Sequence, residues 1–259
     1  MKRHNTKLIG ILTLLLLLVP HPAVSDNATA TANRAKEILR QIDDMWRGES
    51  SYAVLTMRVK TAHYERTVEL EGWSKGKEKT LIRILRPLKE KGAATLKSGN
   101  HIYSYLPKTD RTIRLTSSMM MGSWMGSHFT NDDLVKESRM EDDYNPVISF
   151  EGKRDDTEII EFTLIPKPEA AVVWGKVVMA VTSKDYLPLK QDYYNEDLEV
   201  VRTMLFTEVK LLSGKQRPSV MRVVPIDKPG EYTELIYKTL QLNVPMQDDF
   251  FSLSQLKKR

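Results

Sequence analysis

Histidine, cysteine and paired carboxylates are the residue types that most often build metal sites and catalytic centres, and this chain offers them in few useful combinations. The 259-residue sequence contains no cysteine. Beyond its N-terminal region the histidines are His63, His101 and His128, each in a different segment. These residues assemble neither a histidine-rich metal cage nor a cysteine nucleophile. We therefore predict a protein without metal, cofactor or enzymatic activity.

Acidic pairs are present, but turn chemistry accounts for them. They occur at Asp132-Asp133, Glu141-Asp142-Asp143, Asp155-Asp156 and Asp248-Asp249, in turns or at helix starts, where aspartate accepts hydrogen bonds from nearby backbone amides. The Gly-x-Ser-x-Gly elbow of hydrolases is also missing from the sequence. The carboxylates give no reason to assign catalysis.

The chemistry that the sequence does favour is contact with apolar groups. Residues 119–134, MMMGSWMGSHFTNDDL, form a segment, here called the middle segment, in which four methionines surround a tryptophan. Methionine repacks at low cost against apolar partners of different shapes. A second apolar loop, residues 170–175, has a similar character. The alternative is that both segments simply fill the core.

The local structure of the middle segment follows from its glycines and its end. Gly122 and Gly126 would each weaken a helix by about 1 kcal/mol relative to alanine, so we predict a loop or a broken helical turn that can hinge. Residues 130–133, Thr-Asn-Asp-Asp, fit a capping box. A short helix is predicted to begin there.

The N-terminus indicates export. Residues 1–25 have the order of a secretory signal peptide, with Lys2, Arg3 and Lys7 before an apolar run that ends in small residues. Removing them lowers the formal net charge from +5 to +2. This balance argues against a nucleic-acid partner, which requires a concentrated basic face. We predict a soluble protein of one domain, residues 26–259, without a lipid anchor because no cysteine is available for one.

Periodicity predicts the elements that must position these residues. An amphipathic helix is predicted over 33–47, and alternation with a period of two then predicts strands over 52–60, 67–73, 81–86, 93–97, 101–106, 111–115, 147–151, 158–165, 176–182, 189–194, 200–211, 219–224 and 231–240. About a dozen strands with so little helix favour a mainly β (α+β) fold, a large curved antiparallel sheet that encloses a cavity.

Four stretches give the chain a resemblance to a known family. MMMGSWMGSHFTNDDLVKES, PKPEAAVVWGK, KDYLPLK and DDFFSL resemble the bacterial outer-membrane lipoprotein-sorting proteins, relatives of the periplasmic carrier LolA. The resemblance covers essentially the whole chain after the signal. It implies an unclosed β-barrel around a hydrophobic cavity, with helices and loops as a lid and no catalytic centre.

The same resemblance implies residue roles. The lid or cavity mouth would carry the ligand-binding residues Met119, Met120, Met121, Trp124, Met125, Phe129, Val173 and Trp174. Arg58 on the first strand is the positional candidate for a latch that holds the lid shut, and its alternative is a solvated charge on the outer face.

Two functions remain open from the sequence. The first is a monomeric periplasmic carrier that binds lipid or lipoprotein acyl chains and transfers them toward the outer membrane, with an inner-membrane transporter permease and an outer-membrane acceptor as partners. The alternative is a periplasmic accessory or sensor subunit of a transporter or signalling system that uses the same scaffold.

Overall fold

The computed structural model describes residues 24–99, 101–135, 140–170 and 172–258. The predicted signal peptide lies outside the described residues except for its last two positions, Val24 and Ser25. Within the described part, none of the helices has the length and apolar character needed to cross a membrane.

Thirteen antiparallel strands in the described part form one curved, unclosed sheet. They are β1 Ser50–Lys60, β2 Glu65–Lys75, β3 Lys79–Arg86, β4 Ala94–Ser98, β5 His101–Leu106, β6 Arg111–Arg114, β7 Tyr144–Arg154, β8 Thr157–Pro166, β9 Lys176–Thr182, β10 Pro188–Tyr194, β11 Val200–Leu212, β12 Lys215–Pro225 and β13 Tyr232–Leu242. Every strand predicted from the sequence is present, and the predicted mainly β class is confirmed.

The strand order shows where the sheet is open and which segment crosses the opening. The order across the sheet is β6-β5-β4-β3-β2-β1-β13-β12-β11-β10-β9-β8-β7, so the first and last strands pair in the middle. The edges are β6 and β7, and residues 115–143 connect one edge to the other. The middle segment therefore crosses the opening of the unclosed sheet.

A long N-terminal helix, α1 Val24–Arg47, packs on the sheet. It buries Ala35, Ile38, Leu39 and Ile42 in the main core, as the helical spacing predicts. The helix begins nine residues before the predicted start. It ends at Gly48, whose φ is +55° and where a Cβ would approach Asn243 Oδ1 to 2.6 Å, so only glycine fits this C-terminal position.

The remaining helices are short. They are α2 Asn131–Val135, α3 Met140–Asp143 and α4 Leu253–Leu256, with 3-10 turns at Ser117–Met119, Trp124–Gly126 and Asp248–Phe250. The C-terminal elements cover the opposite face of the sheet near β3 to β5, where Phe251 and Leu256 pack with Leu81, Leu96 and Tyr105.

Candidate functional site

A cavity of about 390 Å3 lies between the sheet, α1 and the middle segment. Its volume falls in the range of roughly 300–1,000 Å3 that is usual for small-molecule sites. Its apolar strand residues are Ala53, Leu55, Leu70, Gly72, Ile82, Val177, Met204, Met221 and Leu235, and its aromatic residues are Trp46, Trp73, Trp124, Phe129, Tyr144, Trp174, Tyr193 and Tyr237. The lining is therefore mainly apolar and aromatic.

Polar groups enter the cavity at two places. Ser51, Ser74 and Thr80 come from the strands, and the two serine hydroxyls are 2.7 Å apart. Four aspartates, Asp43, Asp132, Asp133 and Asp143, come from the three helices that cover the sheet. An apolar ligand with one polar end would match this distribution.

The middle segment is a compact loop, as its glycines predict. Asn131 N donates to Gly122 O and Asp132 N donates to Met120 O, both at 2.9 Å, while Trp124 N donates to Phe129 O at 2.8 Å. Met125, at φ 48°, and Gly126, at φ 70°, reverse the chain inside it. The structure gives a folded-back loop, and Gly126 adopts the positive φ of the reversal without the steric cost of a side chain.

The predicted capping box is present at the end of the loop. Thr130 N donates to Asp133 Oδ2 at 2.7 Å, and Asp133 N donates to Thr130 Oγ1 at 3.2 Å. This reciprocal pair starts α2 at the predicted position.

The structure divides the predicted ligand-binding residues into two groups. Trp124, Phe129 and Trp174 line the cavity. Met125 packs against the main core, Met120 is partly buried, and Met119 and Met121 are exposed. In the second apolar loop Val172 lines the cavity beside Trp174, whereas the predicted Val173 is partly buried outside its lining.

Trp124 joins the middle segment to strand β4 of the sheet. Its side chain is 2% exposed, and its Nε1 donates to Thr95 Oγ1 on β4 at 3.1 Å. A buried indole N–H normally requires such a partner. Trp124 therefore fixes the middle segment to the sheet as well as lining the cavity.

Polar contacts from two hairpin turns hold the outside of the loop. Tyr64 Oη donates to Gly126 O at 2.5 Å, and Arg66 Nη1 donates to Met125 O at 2.5 Å. The two nitrogens of His128 contact Thr233 Oγ1 and Glu231 Oε2, each at 2.9 Å. The hydrogen bond with His128, followed by one from the Ala62 amide, lowers the pKa of Glu231 below its usual range.

A buried ion pair holds the end of the middle segment. Arg202 on β11 donates to both oxygens of Asp133 at 2.6 Å, and the guanidinium carbon lies 4.3 Å from the ring centre of Trp174 and 4.2 Å from that of Tyr193. A guanidinium with a bidentate carboxylate and two aromatic faces is strongly oriented.

The electrostatics of this pair follow from its burial. Burial acts to lower the pKa of Arg202, but the hydrogen bonds and charge of Asp133 outweigh it and the pKa is raised. Burial also raises the pKa of Tyr193 to about 12, against the opposing effect of Arg202. Arg202 is therefore charged, and Tyr193 neutral, throughout the physiological pH range.

The predicted latch, Arg58, lies elsewhere. Its side chain is 59% exposed, and its nearest ion-pair contact is Glu234 on β13, at 3.9 Å. The arginine that the structure brings to the middle segment's end is Arg202, which the sequence reasoning missed. The sequence does carry one indication of its burial. Residues 202, 204 and 206 lie on the same face of β11, and all three are buried.

Among the described residues, no cluster of three or more histidine, cysteine, aspartate or glutamate side chains is arranged to hold a metal ion. The covering helices contribute aspartates, and the nearest cation, Arg202, is already engaged by one of them. The site offers apolar contact, one buried ion pair and a cover formed by the middle segment.

An unclosed antiparallel sheet that wraps around a covered apolar cavity is a fold that this chain shares with solved structures, one of them a LolA superfamily protein. A model of a family described as uncharacterized proteins matches residues 76–258, and the chain belongs to this family. The resemblance to outer-membrane lipoprotein-sorting proteins inferred from the sequence is confirmed. Among curated protein sequences, none matches the chain significantly.

Three solved structures share this fold. A DUF1329 family protein from Desulfovibrio piger has a TM-score of 0.78 at 22% identity, over 87% of this chain and 99% of that one. A putative outer membrane lipoprotein-sorting protein domain from Vibrio parahaemolyticus has a TM-score of 0.76 at 24% identity, over 88% and 100%. A LolA superfamily protein from Nitrosomonas europaea has a TM-score of 0.72 at 22% identity, over 85% and 98%.

Proposed function

We propose that this protein is a carrier that encloses an acyl chain of a lipid or lipoprotein in the cavity beneath the middle segment. The observation that carries the proposal is the cavity itself, about 390 Å3 of mainly apolar space inside a small protein. Well-packed interiors hold few voids larger than a water molecule, so space of this size needs a use. The printed description of the Vibrio parahaemolyticus relative, lipoprotein sorting, is in keeping with such a ligand.

The energy of transfer explains why a cavity is useful. At about 0.8 kcal/mol per methylene, exposing a chain of about sixteen carbons to water costs on the order of 12 kcal/mol. A carrier must offset most of this cost and still release its ligand. The cavity does so with dispersion and apolar burial, without a covalent bond or an ionic clamp on the chain.

Entry and exit require the cover to move. The middle segment connects the two edges of the sheet, and Trp124 and Phe129 line the cavity from it. Its outside is held by exposed or partly buried polar contacts from Tyr64, Arg66 and His128. We propose that these contacts open first, while the Arg202–Asp133 pair remains as the hinge anchor.

We also propose that transfer takes place in the periplasm, because the order of residues 1–25 is that of an export signal. An inner-membrane permease would deliver the ligand and an outer-membrane acceptor would receive it. The protein would act without a cofactor and as a monomer.

Gly72 provides a sharp test, because it lines the cavity from β2. A Cβ added there would lie 3.7 Å from Ile82 Cγ1 and 3.9 Å from Leu81 O, which is ordinary contact. Gly72→Phe should fill the cavity and weaken binding of a fluorescent fatty-acid probe at least about tenfold, since several apolar contacts are lost. Gly72→Ala, the matched control, should bind nearly as well as the unmodified protein.

Two results would contradict the carrier. One is that Gly72→Phe binds the probe as the unmodified protein does while its circular dichroism spectrum is unchanged. The other is that the unmodified protein neither binds the probe nor yields lipid to organic extraction and mass spectrometry.

A further inference from the structure

The turn between β3 and β4 presents a leucine to solvent. Leu88 is 85% exposed, the largest exposure among the large apolar side chains described. The turn around it is closed by backbone hydrogen bonds from Glu90 N to Pro87 O at 3.0 Å and from Lys91 N to Leu88 O at 3.3 Å. An ordered backbone therefore holds this side chain outward.

The charges around Leu88 are mainly positive. Arg86, Lys89 and Lys91 are exposed, and neither lysine forms an ion pair within the part of the chain that the structure describes. The one acid of the turn, Glu90, is engaged by Arg66. An exposed apolar side chain among basic residues complements a surface that is anionic outside and apolar inside.

A second turn at the same end of the sheet provides the contrast. Leu198, between β10 and β11, is 57% exposed. Its neighbours Glu196, Asp197 and Glu199 are all acidic and exposed. Neighbouring strands run in opposite directions, so both turns lie at the end of the sheet that carries the β1–β2 turn. Apolar exposure is thus common to the two turns, whereas their charge is opposite.

We propose that the β3–β4 turn docks this protein on anionic lipid membranes, with Leu88 inserted among the acyl chains and Lys89 and Lys91 at the level of the phosphates. The acidic β10–β11 turn is repelled by the same surface, so the molecule tilts with its β3–β5 side toward the membrane. The docking site is separate from the residues that line the cavity.

Docking is mechanically connected to the cover of the cavity. Arg66 joins the two regions, because its guanidinium contacts Glu90 of the turn and the carbonyl oxygen of Met125 in the middle segment. A displacement of the turn at the membrane therefore reaches the middle segment through one side chain.

The test is sedimentation of the protein, residues 26–259, with two sets of vesicles. One set is phosphatidylcholine alone, and the other is phosphatidylcholine mixed with phosphatidylglycerol. The unmodified protein should bind the mixed vesicles and should bind phosphatidylcholine weakly. Leu88→Glu should weaken binding to the mixed vesicles by at least about tenfold, because the leucine that inserts among the acyl chains is lost. Lys89→Glu with Lys91→Glu should weaken it by about fivefold or more per residue.

Two control variants make the result specific. Leu198→Glu changes an equally apolar exposed position in the acidic turn and should bind as the unmodified protein does. Gly72→Phe should also bind the vesicles normally, since it alters only the cavity. Thermal melts of the variants at Leu88, Leu198 and the two lysines should coincide with that of the unmodified protein within a few degrees, because these side chains are exposed.

The proposal is overturned if the unmodified protein ignores both kinds of vesicle, or if Leu88→Glu binds as tightly as the unmodified protein. An equal loss in Leu198→Glu would overturn it as well, because apolar exposure alone would then explain binding. Loss of vesicle binding in Gly72→Phe would mean that the unmodified protein sediments with vesicles because its cavity takes up lipid. That result would also overturn docking through the turn.

Discussion

The two halves of the middle segment both carry apolar side chains but differ in burial. The first half, residues 119–123, holds three methionines, of which Met119 and Met121 are exposed. The second half, residues 124–133, buries Trp124, Phe129 and Asp132. The difference lies in the partners, because the second half meets Thr95, Arg66 and Arg202 from the sheet. The half that is buried is the one that holds the aromatic residues and makes long-range polar contacts with the sheet.

The largest expected effect is at Trp124. Trp124→Ala removes a side chain that is 2% exposed and leaves Thr95 Oγ1 without its donor, so we expect a loss of about 3–5 kcal/mol in the free energy of unfolding. Urea denaturation measures it. A loss below about 1 kcal/mol would show that the second half is as loosely held as the first.

The next effect is at Asp133. Asp133→Ala leaves the Arg202 guanidinium buried between Trp174 and Tyr193 without its carboxylate and also removes one of the two hydrogen bonds of the capping box, so we expect a loss of about 3 kcal/mol. Arg58→Ala is the control and should change stability by less than about 1 kcal/mol, because that arginine is exposed. If Arg58→Ala proves the more damaging of the two, the result would support the latch predicted from the sequence.

The contact between His128 and Glu231 should depend on pH. The pKa of Glu231 is lowered in the folded protein, so its contribution is present above the ordinary glutamate pKa and is lost as the pH falls through the folded value. The difference in unfolding free energy between the unmodified protein and Glu231→Gln should thus be largest at neutral pH and shrink below about pH 4.3. A difference that stays constant from neutral to acid pH would show that the ionised Glu231 does not stabilise the contact with His128.

The smallest effect on stability is expected in the first half. Met119→Ser with Met121→Ser should change the free energy of unfolding by no more than about 0.5 kcal/mol per residue, because both side chains are exposed. Probe titration of the same variant asks whether these methionines contact a bound chain. Weaker probe binding at unchanged stability would support the predicted mouth, and a large stability loss would instead place both methionines in the core.

Local pattern was sufficient to predict the sheet. Many strands have one wetter and one drier face that alternation reveals, and β5 and β9 have the predicted bounds. The helix was predicted too short, because its first turns lack the apolar spacing on which the prediction relied. The capping box at Thr130 was found from sequence because it involves residues only three apart.

The site was harder to predict, for a physical reason. The burial of Trp124 depends on Thr95, 29 residues away, and that of Arg202 depends on Asp133, 69 residues away. Such contacts have no local signature. Arg58 was chosen by position along the chain, whereas the alternation of β11 would have shown that Arg202 shares a face with Met204 and Phe206.

The pairing of β1 with β13 has a consequence for how the chain folds. Every other neighbouring pair in the sheet joins consecutive strands, so each half can form its hairpins locally and quickly. Pairing β1 with β13 closes a loop that contains most of the chain. The entropic cost of this closure is offset only once the strands β1–β6 and β7–β13 have formed their own hairpins. Until then the apolar inner faces of two open meanders are exposed to water, which makes this step the one at which the nascent protein is most prone to aggregate.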